Sequence, residues 1–141
     1  LSDLFCVDRH REAFLKLVDH HVDLLFSNEE ELLSLYEVDN FDTALKHLIK
    51  DCPFAAVTRG KEGAVIIRDG NLTRVKAEPI EKIVDTTGAG DLFAAGFLFG
   101  FTRGDSPAIC GQLGAKAAAE IISHMGARPE IELKSLLNQY D

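Results

Sequence analysis

Seven consecutive residues, Asp85-Thr86-Thr87-Gly88-Ala89-Gly90-Asp91, combine the parts a phosphate-handling site needs. Gly88 and Gly90 let the backbone turn tightly with no side chain lying over it. The strongly apolar run Asp91 to Thr102 reads as a helix, so the loop opens onto a helix amino terminus. Free N–H groups of Gly88, Ala89 and Gly90, together with the helix dipole, attract an anion there and stabilise charge developing on it. Asp91 falls in the first helical turn, where a carboxylate can accept the proton of a hydroxyl attacking phosphorus. An anion cradle beside a base is the minimum equipment for phosphoryl transfer. A plain glycine turn followed by a helix-start acid has the same local look. Two commoner nucleotide patterns are excluded: no G-x-x-x-x-G-K-[ST] occurs, and G-x-G-x-x-G fails because Phe93 stands where the third glycine belongs.

Two other loops come after short apolar runs. Ser27-Asn28-Glu29-Glu30-Glu31 is, by itself, a helix capping box, either Ser27 with Glu30 or Asn28 with Glu31. Thr58-Arg59-Gly60-Lys61-Glu62-Gly63 ends the run Ala55 to Val57, and its glycines again permit close approach of backbone, or an ordinary hairpin turn.

The elements that must position these loops alternate. Leu4 to Val7 reads as a strand end, and Arg9 to His20 as an amphipathic helix closed by His20-His21. Val22 to Phe26 suits a buried parallel strand. Glu29 to Tyr36 is helical, and a further helix opens at Asp42 and stops before Pro53. Ala55 to Thr58 is a strand. Ala64 to Arg68 and Leu72 to Lys76 flank the hairpin signal Asp69-Gly70-Asn71. Ile83-Val84 reads as a strand end before the Asp85 loop. Ser106-Pro107 is an N-cap and first-turn pair for a helix to about Ser123, and Leu133 to Tyr140 is a last amphipathic helix. Strands alternating with helices mean an α/β sheet with crossovers, whose ligands sit at the carboxyl ends of strands. That places the chemistry after Phe26, Thr58 and Val84.

Asp85 to Asp91 resembles the D-T-x-G-A-G-D signature of the ribokinase/adenosine kinase (PfkB) family, and Leu92-Phe93-Ala94-Ala95-Gly96-Phe97 is similar to the small-residue helix next to that signature in the family. The resemblance implies a ribokinase-like α/β fold with a mostly parallel sheet flanked by helices, and transfer of the ATP γ-phosphate to a hydroxyl of a sugar or nucleoside. It makes Asp91 the catalytic base, with Gly88, Ala89 and Gly90 as the anion cradle. Asn28 and Glu31 match the family's N-x-x-E: Asn28 would face the ATP phosphates, and Glu31 would help hold Mg²⁺ through water. Thr58, Gly60 and Gly63 match T-x-G-x-x-G, which borders the phosphates and ribose.

The helix from Pro107 carries Gly111, Gly114, Ala115, Ala117, Ala118 and Ala119, small residues best read as helix packing against Ala94, Ala95 and Gly96. The resemblance adds Ala115 as the adenine neighbour. It also makes the carbonyls of Asp85 and Thr87, with those of His124 and Gly126, a monovalent-cation site suited to K⁺. Phe97-Leu98-Phe99-Gly100 and Leu1 to Asp8 are most similar to bacterial adenosine and sugar kinases of the family. The family's first glycine-rich signature, its sugar-contacting residues and its β-sheet lid have no counterpart here. Residues 1–141 are therefore expected to be the carboxyl-terminal, nucleotide-binding part of a longer ribokinase-like domain. A start at Leu1 and a single methionine, Met125, agree with that expectation.

Composition narrows the partners. Fifteen Lys and Arg against 23 Asp and Glu leave a net charge of −8, with no basic patch, which argues against nucleic acid. No apolar stretch reaches the roughly 20 residues a membrane helix needs. Cys6, Cys52 and Cys110 form no C-x-x-C pair and read as idle thiols of a cytoplasmic protein. The histidines show no zinc spacing. A homodimer is compatible with the family. Two other classes remain: a nucleotide-binding regulator of the same fold that has lost catalysis, against which the intact Asp91 speaks, and a dinucleotide-binding oxidoreductase, against which the missing third glycine speaks.

Overall fold

A computed structural model describes residues 1 and 3–137. The chain divides into two compact units, one of residues 1–59 and 65–73, the other of residues 60–64 and 74–141.

In the first unit α1 (Leu4–His20) precedes β1 (Leu25–Asn28), α2 (Glu29–Tyr36), α3 (Phe41–Asp51) and β2 (Phe54–Thr58). The apolar run Leu4 to Val7 is the first turn of α1 and not a strand end. The Asp3 carboxylate caps the Cys6 N–H at 2.8 Å, and a four-residue apolar run cannot by its pattern distinguish strand from buried helix. The helix is kinked at His10, whose backbone leaves the helical region, and ends at the expected histidines. β1 starts later than the apolar run predicts and runs through Ser27 to Asn28, so Asn28 is both the last strand residue and the N-cap of α2. β1 and β2 are parallel, with Asn28 opposite Thr58. Val18, Leu25, Leu32, Leu35, Leu45, Leu48 and Val57 belong to one buried cluster that joins the helices to the strands. Ala56 and Ile66 point to the other side of the sheet and are also fully buried, as two-sided strands require.

The sheet has the order β1-β2-β3-β4, with β3 (Ala64–Arg68) and β4 (Asn71–Val75) joined by Asp69-Gly70. Both turn residues have positive φ, 50° and 78°, the geometry of a two-residue hairpin turn. The second unit is dominated by α4 (Ala89–Arg103) and α5 (Pro107–Ile122), with a short α6 (Leu133–Leu137). Tyr140, expected in the last helix, lies outside the described residues. Ser106 caps α5 and Pro107 opens it, as the sequence implies. Ile83-Val84 forms no strand: Ile83 is exposed, and the Val84 N–H donates to the Ile122 carbonyl at the end of α5 at 2.9 Å. The segment entering the glycine loop is thus tied to a helix end and has no strand partner among the described residues.

Candidate functional site

The placement of the glycine loop depends on how α4 and α5 meet. A Cβ on Gly96 would lie 2.5 Å from the Leu113 carbonyl oxygen, and one on Gly114 would lie 2.8 Å from that of Phe93. The helices therefore touch backbone to backbone at Gly96 and Gly114, the packing role expected for the small residues, whereas Ala95, also expected in that contact, is exposed. Phe93, Phe97, Cys110, Leu113, Ala117 and Ile121 are the buried apolar side chains of the two helices. Ala115 is half-buried on α5.

The amino terminus of α4 carries the glycine loop. Gly88 is the N-cap, with φ +81°, a left-handed conformation that side chains rarely adopt, and no side chain caps the helix. A Cβ on Gly90 would meet nothing within 4 Å, so the space beside the first turn is open. Asp91 lies in that turn, exposed, and its carboxylate has no partner among the described residues. Gly88, Ala89, Gly90 and Asp91 thus form a helix terminus without a side-chain cap, in which the Ala89 N–H donates to the Thr86 carbonyl at 3.2 Å, beside an exposed carboxylate with no partner among the described residues.

Asp85 organises the other side of the loop. Its Oδ1 accepts the Thr87 hydroxyl at 2.7 Å and the Thr87 N–H at 2.9 Å, and its Oδ2 accepts the Gly126 N–H at 3.1 Å. These bonds, the Thr87 hydroxyl first, hold the carboxyl below the usual carboxylate range. The Gly126 bond joins loop 85–88 to turn 124–127, and a Cβ on Gly88 would sit 3.0 Å from the Ala127 Cβ. Asp85, Thr87, His124 and Gly126 thus belong to two backbone segments held side by side.

His124 is itself anchored. Its Nε2 lies 3.1 Å from Glu120 Oε1, and its Nδ1 lies 3.4 Å from the Met125 carbonyl oxygen. Burial opposes its charge. The Met125 carbonyl, the Glu120 hydrogen bond and the carboxylates of Glu130 and Glu120 outweigh it and raise the pKa. Glu120 was not singled out by the sequence. Its i, i+4 spacing from His124 was the available signal, but the bond it accepts from the Glu130 N–H could not be read from spacing.

In the first unit the structure selects Asn28 with Glu31 as the capping box. The Asn28 side chain accepts the Glu31 N–H at 2.8 Å, and Glu31 Oε2 accepts the Asn28 N–H at 3.0 Å. Glu31 is buried, and its Oε1 takes no hydrogen bond among the described residues. Next to this box Arg59 makes a bidentate pair with Glu29, at 2.9 and 3.0 Å, and lies 4.0 Å above the Phe41 ring. That pair fastens the end of β2 to the start of α2. The sequence showed neither partner, since 30 residues separate them. In the second unit Gly60 is open, with nothing within 4 Å of its Cβ position. Gly63 is pressed against the backbone of residues 75–77, where a Cβ would lie 2.0 Å from the Val75 carbonyl oxygen.

The sequence pattern described as pfkB family carbohydrate kinase matches residues 4–133. The chain belongs to this family. It is 35% identical over 119 residues to a cytidine kinase of Thermococcus kodakarensis, covering 82% of this chain and 42% of that protein. The crystal structure of adenosine kinase from Sinorhizobium meliloti matches with a TM-score of 0.96 and 48% identity, covering 100% of this chain and 43% of that one. Arabidopsis thaliana ribokinase complexed with ribose and ATP matches with a TM-score of 0.77 and 28% identity, over 88% of this chain and 42% of that one. The fold of this pfkB-family chain is therefore ribokinase-like α/β, as the glycine signature implied. The chain spans about two fifths of the length of these relatives, 42% of the cytidine kinase for example.

Proposed function

We propose that the protein containing this chain is an ATP-dependent kinase that phosphorylates a hydroxyl of a sugar or nucleoside, and that residues 1–141 are the carboxyl-terminal, nucleotide-binding part of its ribokinase-like domain. The observation that carries this reading is the open amino terminus of α4: Gly88 in a left-handed N-cap with no side-chain cap, open space at Gly90, and an unpartnered Asp91 in the first turn. Names of relatives agree with the substrate class, since they include a cytidine kinase and an adenosine kinase. No described feature favours the regulator that has lost catalysis.

The residues fit the groups such a reaction uses. ATP supplies the phosphoryl group. The amides of Gly88 and Gly90, and that of Ala89 once it leaves the Thr86 carbonyl to which it donates at 3.2 Å, stabilise negative charge developing on the transferred group. Asp91 accepts the proton of the attacking hydroxyl; its exposed position lets that hydroxyl approach. Asn28 offers its side-chain amide to phosphate while its oxygen caps α2. Glu31, with Oε1 unengaged, would hold Mg²⁺ through water. Thr58 and Gly60 border the nucleotide, Gly63 shapes their loop against residues 75–77, and Ala115 lies by the adenine. The carbonyls of Asp85, Thr87, His124 and Gly126 would hold K⁺. We place the protein in the cytoplasm as a soluble enzyme; among the described residues no helix is long and apolar enough to cross a membrane.

The test is ADP release by the full-length protein with Mg-ATP and a panel of ribonucleosides and free sugars. At least one acceptor should give stoichiometric ADP and a phosphorylated product identified by mass. Tight ATP binding without product from any acceptor would refute catalysis and restore the regulator.

A further inference from the structure

Glu120 sits in the last turn of α5, where the helix dipole disfavours a carboxylate. It is also withdrawn from water: its side chain is 9% exposed, and Oε2 is buried with no hydrogen bond among the described residues. An acid in that position is costly unless its other oxygen does something specific. Oε1 accepts the Glu130 N–H at 2.8 Å and meets His124 Nε2 at 3.1 Å. One oxygen atom therefore grips both ends of segment 124–130. The middle of that segment touches the phosphate loop twice, through the Gly126 N–H on Asp85 and through Ala127 against Gly88.

We propose that Glu120 is a positioning residue for phosphoryl transfer: with His124 it clasps segment 124–130 so that the Gly126–Ala127 turn holds the Asp85–Gly88 loop, and with it the anion cradle, in register. The inference rests on the kinase reading above. Glu120 touches neither nucleotide nor acceptor; it acts on Gly88 through Ala127 and on Thr87 through Asp85. Displacement of a cradle by about 1 Å can cost 10²-fold in rate, so a clasp of this kind has a measurable effect.

The experiment compares Glu120→Ala and Glu120→Gln in the full-length protein. Two readouts are taken well below the melting temperature: kcat with its KM values, and amide hydrogen exchange at Gly126. Alanine removes the clasp. It should lower kcat by about tenfold or more with acceptor KM changed less than about twofold, and should speed Gly126 exchange by about tenfold. Glutamine keeps an oxygen for the Glu130 N–H and should restore both readouts to within about threefold of the parent. Should the alanine variant fail to fold, His124→Gln, which leaves α5 and the Glu130 bond intact, should show the same pair of changes in smaller degree. Unchanged Gly126 exchange in a folded alanine variant, or equal losses in the alanine and glutamine variants, overturns the proposal. Since the exchange readout needs no turnover, an inactive parent protein would sink the kinase reading and still leave the clasp tested.

Discussion

Replacing Asp91 by asparagine separates chemistry from folding, because the structure gives the carboxylate nothing to hold. Asp91 is exposed and its side chain has no partner among the described residues. Surface substitutions of that kind change stability by about 0.5 kcal/mol or less, and part of that is the lost attraction between a carboxylate and the α4 amino terminus. For a protein of this size class such a change moves the melting temperature by less than about 2 °C. A general base contributes about 10²- to 10⁴-fold, and at about 1.4 kcal/mol of barrier per tenfold the lower bound already exceeds the structural cost several times. Asp91→Asn should therefore melt with the parent, bind ATP within about twofold, and lose at least about a hundredfold in kcat. Steady-state ADP release and differential scanning fluorimetry on one preparation give both numbers. A kcat within about threefold of the parent would show that Asp91 is only a helix-start acid. A kcat loss accompanied by a large melting shift would mean that the carboxylate has a structural partner, against its open position here.

The other expectations rest on the same geometry. Glu31→Gln keeps the capping box, because an amide oxygen can still accept the Asn28 N–H, so the melting temperature should hold while the Mg²⁺ concentration for half-maximal rate rises; an unchanged Mg²⁺ titration would confine Glu31 to capping. K⁺ should stimulate the full-length enzyme more than Na⁺ at equal ionic strength, and equal rates would count against a cation site on the Asp85 and His124 segments. Gly90→Ala and Gly96→Ala should separate, both measured by melting and by kcat. The first places a methyl in open space, so stability should hold or rise by up to about 1 kcal/mol while the rate falls. The second forces a methyl to within 2.5 Å of the Leu113 carbonyl oxygen and should cost about 1–3 kcal/mol of stability. Loss of stability in the first, or none in the second, would contradict the packing of α4 on α5.

What was legible in the sequence was what is contiguous along the chain. Asp85 to Asp91 announces a loop opening onto a helix because turn, amide cradle and carboxylate are all supplied within seven residues. Ser106-Pro107 and Asp69-Gly70 are readable for the same reason, each being a local conformational demand met by the residue on the spot. Two readings failed where a short apolar run had to be interpreted without its neighbours. Leu4 to Val7 is helical because Asp3 caps it, and Ile83-Val84 stays irregular because its partner is the Ile122 carbonyl, 38 residues away from Val84. The Arg59–Glu29 pair and the bond from the Glu130 N–H to Glu120 were unreadable for the same reason: each joins residues whose proximity is decided by packing.

Helix α5 then explains why the site needs more than its signature. Gly114 and Leu113 let α4 come close enough to fix the direction of its amino terminus. About two turns further on, the same helix presents Glu120 to segment 124–130 and the Ile122 carbonyl to Val84. Asp85 is thereby approached from both sides, through Val84 on its own segment and through Gly126 across the turn. A glycine loop is soft, and its amides can stabilise a transition state only if they are held before the charge develops. In this chain the residues entering that loop are bonded to the end of α5 and to the turn after it. The seven-residue motif transplanted in front of another helix, without Gly96–Leu113 packing behind it and the 124–130 segment beside it, should bind phosphate weakly and catalyse nothing.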